Sequence, residues 1–145
     1  MTSTNTVTRS WAVTVDPDRS HQVYPWPTGD TLAFLQYHVH GLVERVPIGR
    51  AMDMWVNEEF IYTGMEPNPL ATVIAWDAVP ARINTQFYCG PTVFTGTVDV
   101  EGNTLGLSDD ETAFTAGLMI ELGRCDPGLA EVVTNLALRW LAAYR

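Results

Sequence analysis

The stretch Asp30 to Leu70 reads DTLAFLQYHVHG (30–41), LVERVP (42–47), IGR (48–50), AMDMWVN (51–57), EEFIYTGMEP (58–67) and NPL (68–70), and it contains both hydrophobic periods from which a fold is built. Leu32, Leu35 and Val39 recur at helical spacing, with Asp30 placed to cap the helix and Gly41 to end it. Two short strands follow. Val43 and Val46 flank Glu44 and Arg45 in the first; in the second, Met52, Met54 and Val56 fall on one face while Asp53, Trp55 and Asn57 fall on the other. Pro47, Ile48, Gly49 and Arg50 suit the loop of a hairpin between them. Asn57, Glu58 and Glu59 make a polar corner, and Asn68 before Pro69 is a helix start, the amide as cap and the proline pre-organised for the first turn.

Towards the N-terminus, residues 1–6 read as frayed. Arg9, Trp11, Val13 and Val15 alternate with Ser10, Ala12 and Thr14 as a strand with one apolar face, Asp16 to Arg19 turn, and His21 to Tyr24 return. Pro25 and Pro27 forbid regular structure around Trp26, which is either a contact point on a rigid loop or a cover for the edge of the core. Beyond Asn68, Leu70, Val73, Ile74 and Trp76 suit a short helix, and residues 77–84, with Pro80, a loop. Gly90 marks a bulge or a close backbone approach before the strand TVFT at 92–95, and Val98 and Val100 suggest further extended chain over 97–101.

The last third reads as two helices. Ser108 and Glu111 frame a capping box, Phe114, Leu118 and Leu122 should face the core, and Gly123 is a natural stop. Asp126 and Pro127 start the second helix, along which Leu129, Val132, Val133, Leu136, Trp140, Leu141 and Tyr144 form a broad apolar stripe. The stripe is buried either within the domain or in a dimer or partner interface, the large aromatics Trp140 and Tyr144 favouring the interface.

At 145 residues and 46% hydrophobic, with five tryptophans, the chain is long and apolar enough for one domain with its own core. No run approaches the roughly 20 apolar residues that span a bilayer, and MTSTNTVTRSW lacks the apolar centre of a signal peptide, which predicts a cytoplasmic protein without membrane contact. Cys89 and Cys125, far apart, read as reduced thiols. The net charge is −9; residues 1–50 are balanced, 51–96 carry −4 and 97–145 carry −5. Such acidity opposes direct binding to nucleic acid, whose phosphates are neutralised by cations, and suits either solubility or a basic partner.

The side chains that invite chemistry form no recognisable catalytic set. His38 and His40, two apart, point about 200° from each other on a helix and cannot share an ion, so no metal site or cofactor is assigned. Asp53, Glu58 and Glu59 are the carboxylates from which an acid and base pair would have to come, but adjacency alone does not converge two of them across a cleft, and no catalytic residue is assigned. The candidate contact residues are Trp26, Asp53, Asn57 and Glu58, with Glu59, Asn68, Trp140 and Tyr144.

The succession of a helix ending at Gly41, a strand ending at Val46 and Pro47, MDMWVNEEF at 52–60, NPLAT at 68–72 and GPTVFTG at 90–96 resembles a domain-of-unknown-function family of small proteins common in phages, plasmids and actinobacterial genomes. The resemblance covers 7–96, with Asn57, Glu58, Asn68, Pro69, Gly90 and Pro91 as the matching positions; Phe60 stands where the family usually has Gly after the paired acids. It implies a mobile-element origin and a compact α+β core, and no activity. The expectation is therefore a single α+β domain over 1–145, its mostly antiparallel sheet covered by helices on one face and two C-terminal helices in an acidic extension over 97–145. The leading function is a non-catalytic accessory protein that binds a host or phage protein, with a homodimer as one form. Two alternatives stand beside it: an acidic DNA mimic that inhibits a host DNA-binding enzyme, and a small carboxylate-dependent hydrolase.

Overall fold

The computed structural model describes residues 9–49, 51–125 and 127–145, so the fraying expected of residues 1–6, the place of Arg50 in the hairpin loop and the cap expected of Asp126 concern residues outside the described ones. The elements run β1 (Trp11–Val15), β2 (His21–Pro25), α1 (Thr31–Val39), β3 (Val43–Pro47), β4 (Met52–Asn57), α2 (Pro69–Ala78), a 3₁₀ turn (Pro80–Arg82), β5 (Thr92–Gly96), α3 (Asp109–Cys125) and α4 (Pro127–Leu141). The fold is α+β. Its five strands form one antiparallel sheet in the order β2-β1-β5-β4-β3: two hairpins, with the last strand threaded between them.

Both faces of this sheet are covered. Val13, Val15, Met54, Val56 and Phe94 join Leu70, Ala71, Ile74 and Ala75 of α2 and Leu141 of α4 in the larger core. Ala12 and Val93, on the opposite face, pack with Leu35 and Val39 of α1, and Trp55 and Val43 border that cluster. The expectation of helices on one face therefore holds for α2, α3 and α4 and is corrected for α1. The second layer also explains why Asp53 and Asn57, outward-facing by alternation, are buried. A third cluster joins Trp76 and Phe87 to Val133 and Ala137, with Leu129, Leu136 and Trp140 at its border, so most of the α4 stripe packs within the domain while Val132 and Tyr144 stay exposed.

Local chemistry sets most boundaries. The Asp30 carboxylate accepts from Ala33 N to start α1. The helix ends one residue earlier than expected, at His40, whose left-handed φ of 63° replaces the conformation assigned to Gly41. Gly41 is needed for another reason: a Cβ there would lie 2.8 Å from Asn57 Nδ2. Leu32 is 52% exposed and leaves the stripe to Leu35 and Val39. In α3, Ser108 Oγ accepts from Glu111 N while Glu111 Oε1 accepts from Ser108 N, the reciprocal box that the spacing predicts. The buried face of α3 differs from expectation. Phe114 is 67% exposed, and Thr112 and Thr115 are buried in its stead, their hydroxyls donating to the carbonyls of Ser108 and Glu111. Gly123 does not stop the helix, which continues to Cys125; the side chain of Leu122 is outside the described set. Residues 97–101 form no strand; the Asp99 carboxylate accepts from Glu101 N and Asn103 N in a tight turn, and only an isolated bridge between Val98 and Thr104 forms.

Asn68 joins the layers. Its Oδ1 caps α2 by accepting from Ala71 N, and its Nδ2 donates to Val15 O at the end of β1 and to Gly90 O before β5, both at 2.9 Å. Its backbone N–H donates to Tyr88 O, and its carbonyl accepts from the Thr72 hydroxyl. Gly90, at φ 80°, makes the turn that brings its carbonyl to this amide. Replacing Asn68 with Ala strands the Gly90 carbonyl, uncaps α2 and leaves Val15 O with the Thr92 hydroxyl as its side-chain donor, and is expected to cost on the order of 3 kcal/mol, whereas Ser108→Ala removes one exposed cap for about 1 kcal/mol. Urea unfolding of the two variants checks the order.

Candidate functional site

The most distinctive surface is a chain of aromatic rings carried by β2, the loop after it, and α1. Tyr24 lies 4.6 Å from His38, His38 4.5 Å from Phe34 and Phe34 5.5 Å from Trp26, measured between ring centres, and Tyr37 meets His38 edge-on at 5.1 Å. The placement follows from periodicity. Phe34, Tyr37 and His38 share the flank of α1 beside the buried stripe, and Tyr24 stands on the same sheet face because it pairs with Ala12. The Tyr24 hydroxyl donates to Gln22 Oε1. Tyr37 is 76% exposed while the other four rings are half-buried. Burial among the rings holds the His38 imidazole below its ordinary value, with the Asp16 carboxylate opposing and His40 reinforcing the shift.

Of the candidates read from the sequence, Trp26 belongs to this surface and also borders the α1 core, so it covers the core edge as well as facing outward. Its backbone N–H donates to Ser10 O. Asn57 is a support: Nδ2 donates to Val39 O and His40 O at the end of α1, and Oδ1 accepts from Glu59 N. Asn68 is buried and engaged throughout, as described above. Glu58 and Glu59 are exposed after β4. Asp53, at the other end of that strand, is fully buried and about 16 Å away by strand length, so these carboxylates do not converge. Trp140 borders both the main core and the α2–α4 cluster, and Tyr144 packs on it at 5.2 Å with its own ring largely exposed.

Tyr37, Phe34 and Tyr24 were not singled out by sequence reasoning, and His38 was weighed there only as a metal ligand beside His40. Their signal was an aromatic excess in a nine-residue helix beyond what its buried stripe uses, but the partner rings on β2 are brought alongside only by the fold. Among the described residues no group of three or more His, Cys, Asp or Glu side chains is placed to hold a metal ion, and no helix is long and apolar enough to cross a membrane.

Two ionisable groups beneath the surface give tests of the scaffold. Arg45 Nε donates to Asp53 Oδ2 at 2.7 Å, while Asp53 Oδ1 is buried without a hydrogen-bond partner among the described residues. Arg45→Leu leaves a buried carboxylate uncompensated; because the Arg45 side chain is 41% exposed, the expected loss is about 2 kcal/mol, and adding Asp53→Leu should recover most of it. Denaturant midpoints of the single and double variants measure this. Burial pushes the Cys89 thiol from 9.0 up to about 11, with Arg145 opposing. Between those values the unfolded chain loses a proton that the folded chain keeps, so stability falls as pH rises through the window. A Cys89→Ala variant should lose less stability than the parent between about pH 8.5 and 10.5 in urea titrations.

Residues 9–119 match the family model described as Domain of unknown function (DUF3846). The match extends past Gly96, where the resemblance read from the sequence stops, through the 97–107 loop and into α3. No curated protein and no solved structure matches the chain. With both sheet hairpins, the threaded strand and the ring-bearing helix all inside the matched span, the chain belongs to the DUF3846 family.

Proposed function

We propose that the protein is a non-catalytic accessory factor that binds another protein, in the cytoplasm of a cell that carries its gene on a phage or plasmid. The observation that carries this reading is the ring chain of Tyr24, His38, Phe34 and Trp26 with Tyr37 beside it. Rings already packed against one another lose little freedom when a partner covers them, and partly solvated aromatics repay their burial with large contact areas. Interfaces draw most of their energy from a few such anchors. The acidic chain, with Asp18 and Asp30 exposed on the turns flanking β2, adds a preference for a partner with a basic rim.

A second copy of the chain is one form the partner takes, and light scattering of the purified protein distinguishes it from a foreign one. Tyr37→Asp places a charge at the most exposed ring without touching the core and is expected to leave the melting curve within about 0.5 kcal/mol of the parent. Its binding should fall at least tenfold against whichever protein, host, phage or self, the parent captures, measured by titration calorimetry on the isolated pair. Equal binding by parent and variant would remove the ring chain as the contact.

A further inference from the structure

The sheet has a second outer strand, at the edge opposite the rings. Ile48 N donates to Met52 O and Glu58 N to Leu42 O, which fixes the even-numbered residues of β3 as those bonded to β4. The backbone groups of Val43 and Arg45 therefore point away from the sheet, and among the described residues no strand lies on that side of β3. The Pro47 carbonyl, next along the edge, already accepts from Arg82 Nη1 at 3.0 Å, so the open edge ends there.

Beside this edge lies a groove of about 450 Å³ between β3 and the segment after α2, bordered by Glu44, Val46, Arg82, Gln86 and Tyr88. Tyr88 is 3% exposed, yet its hydroxyl reaches the groove and has no hydrogen-bond partner among the described residues. Arg82 makes no ion pair among the described residues, and its bond to Pro47 uses one of its five N–H groups. A phenol hydroxyl and a guanidinium thus offer donors into one polar groove, next to a strand edge with unpaired N–H and C=O groups.

We propose that this edge takes an extended peptide, which adds as a sixth strand beside Val43 and Arg45 and places one carboxylate side chain against Arg82 and the Tyr88 hydroxyl. Strand addition supplies main-chain hydrogen bonds that do not depend on sequence, and the side-chain groove supplies the selection. A carboxylate accepts both donors, and charge-assisted bonds of this type are the stronger ones. Glu44 on the same rim limits the preference to a single acid, since a run of carboxylates would meet its charge. The site is independent of the ring surface, which lies along β2 at the far edge of the sheet.

The test uses the full chain and fluorescence anisotropy with labelled heptapeptides of sequence TVTETVT, TVTQTVT and TVTKTVT. The Glu peptide should bind about tenfold more tightly than the Gln peptide and more tightly still than the Lys peptide. Replacing a Thr beside its Glu with Pro, which removes a main-chain donor facing β3, should abolish binding. Tyr88→Phe deletes an unpartnered hydroxyl and should melt as the parent does while weakening the Glu peptide severalfold; Arg82→Gln should bring the Glu and Gln peptides to equal affinity. Amide resonances of Val43 and Arg45 should shift on titration. Equal affinity for the Glu and Gln peptides in the parent would overturn the proposal, as would preference for Lys or no binding by about 1 mM. Mass doubling of the free chain that Val43→Pro abolishes would assign the edge to a second copy and overturn it too.

Discussion

A strand threaded between two hairpins must be delivered to its register from outside the sheet, and here the side-chain amide of Asn68 does so. It holds the carbonyl at the end of β1 and the carbonyl before β5 on the same nitrogen, so the last strand enters beside the first with its alignment set. Asn57 repeats the device at the other end of the molecule, where its amide closes the carbonyl end of α1 onto the end of β4. Each asparagine converts an unsatisfied helix terminus into a joint between a helix and the sheet. Because the joints lie on different helices, the sheet acquires a layer on each side, and its central strand is buried along its whole length.

The same joints explain why the outer surfaces are good places for recognition. With α1 fixed at its cap by Asp30 and at its end by Asn57, the rings of Phe34, Tyr37 and His38 are presented from a short, held helix. At the opposite edge, Arg45 spends its Nε on buried Asp53, and Arg82 holds the Pro47 carbonyl. These contacts order the rim of the groove while leaving the neighbouring backbone unpaired. Acidic side chains elsewhere keep the surface negative, which makes the few cations at this rim more selective than they would be on a neutral protein.

What could be read from the sequence was the chemistry that acts over three or four residues. The Ser108 and Glu111 box and the Asn68 cap before Pro69 came from local rules and stand in the structure where those rules put them, as does the pairing of two strands across the turn after Val46, although Pro47, read as loop, ends β3. Alternation in β4 separated Met54 and Val56 from Asp53 and Asn57, but it says nothing of a second layer, and so both faces turned out buried. The buried face of α3 misled for a different reason. Thr112 and Thr115 return their hydroxyls to the helix's own carbonyls and enter the interior as though apolar, while Phe114, the obvious core residue, stays outside. As for the candidate surfaces, Trp26 was visible as an aromatic on a rigid loop. The rings that join it come from segments whose proximity depends on the pairing of β2 with β1, which no short spacing encodes.

The placement of β5 has a bearing on biosynthesis. The two hairpins leave the ribosome first, and the seam that unites them is the last strand made. Until then each hairpin is a two-stranded ribbon with an apolar side open to water, a state that is marginal alone and prone to stray association. A nascent chain that pauses before residue 92 therefore resembles two half-molecules on one tether, with no native edge for either to close upon.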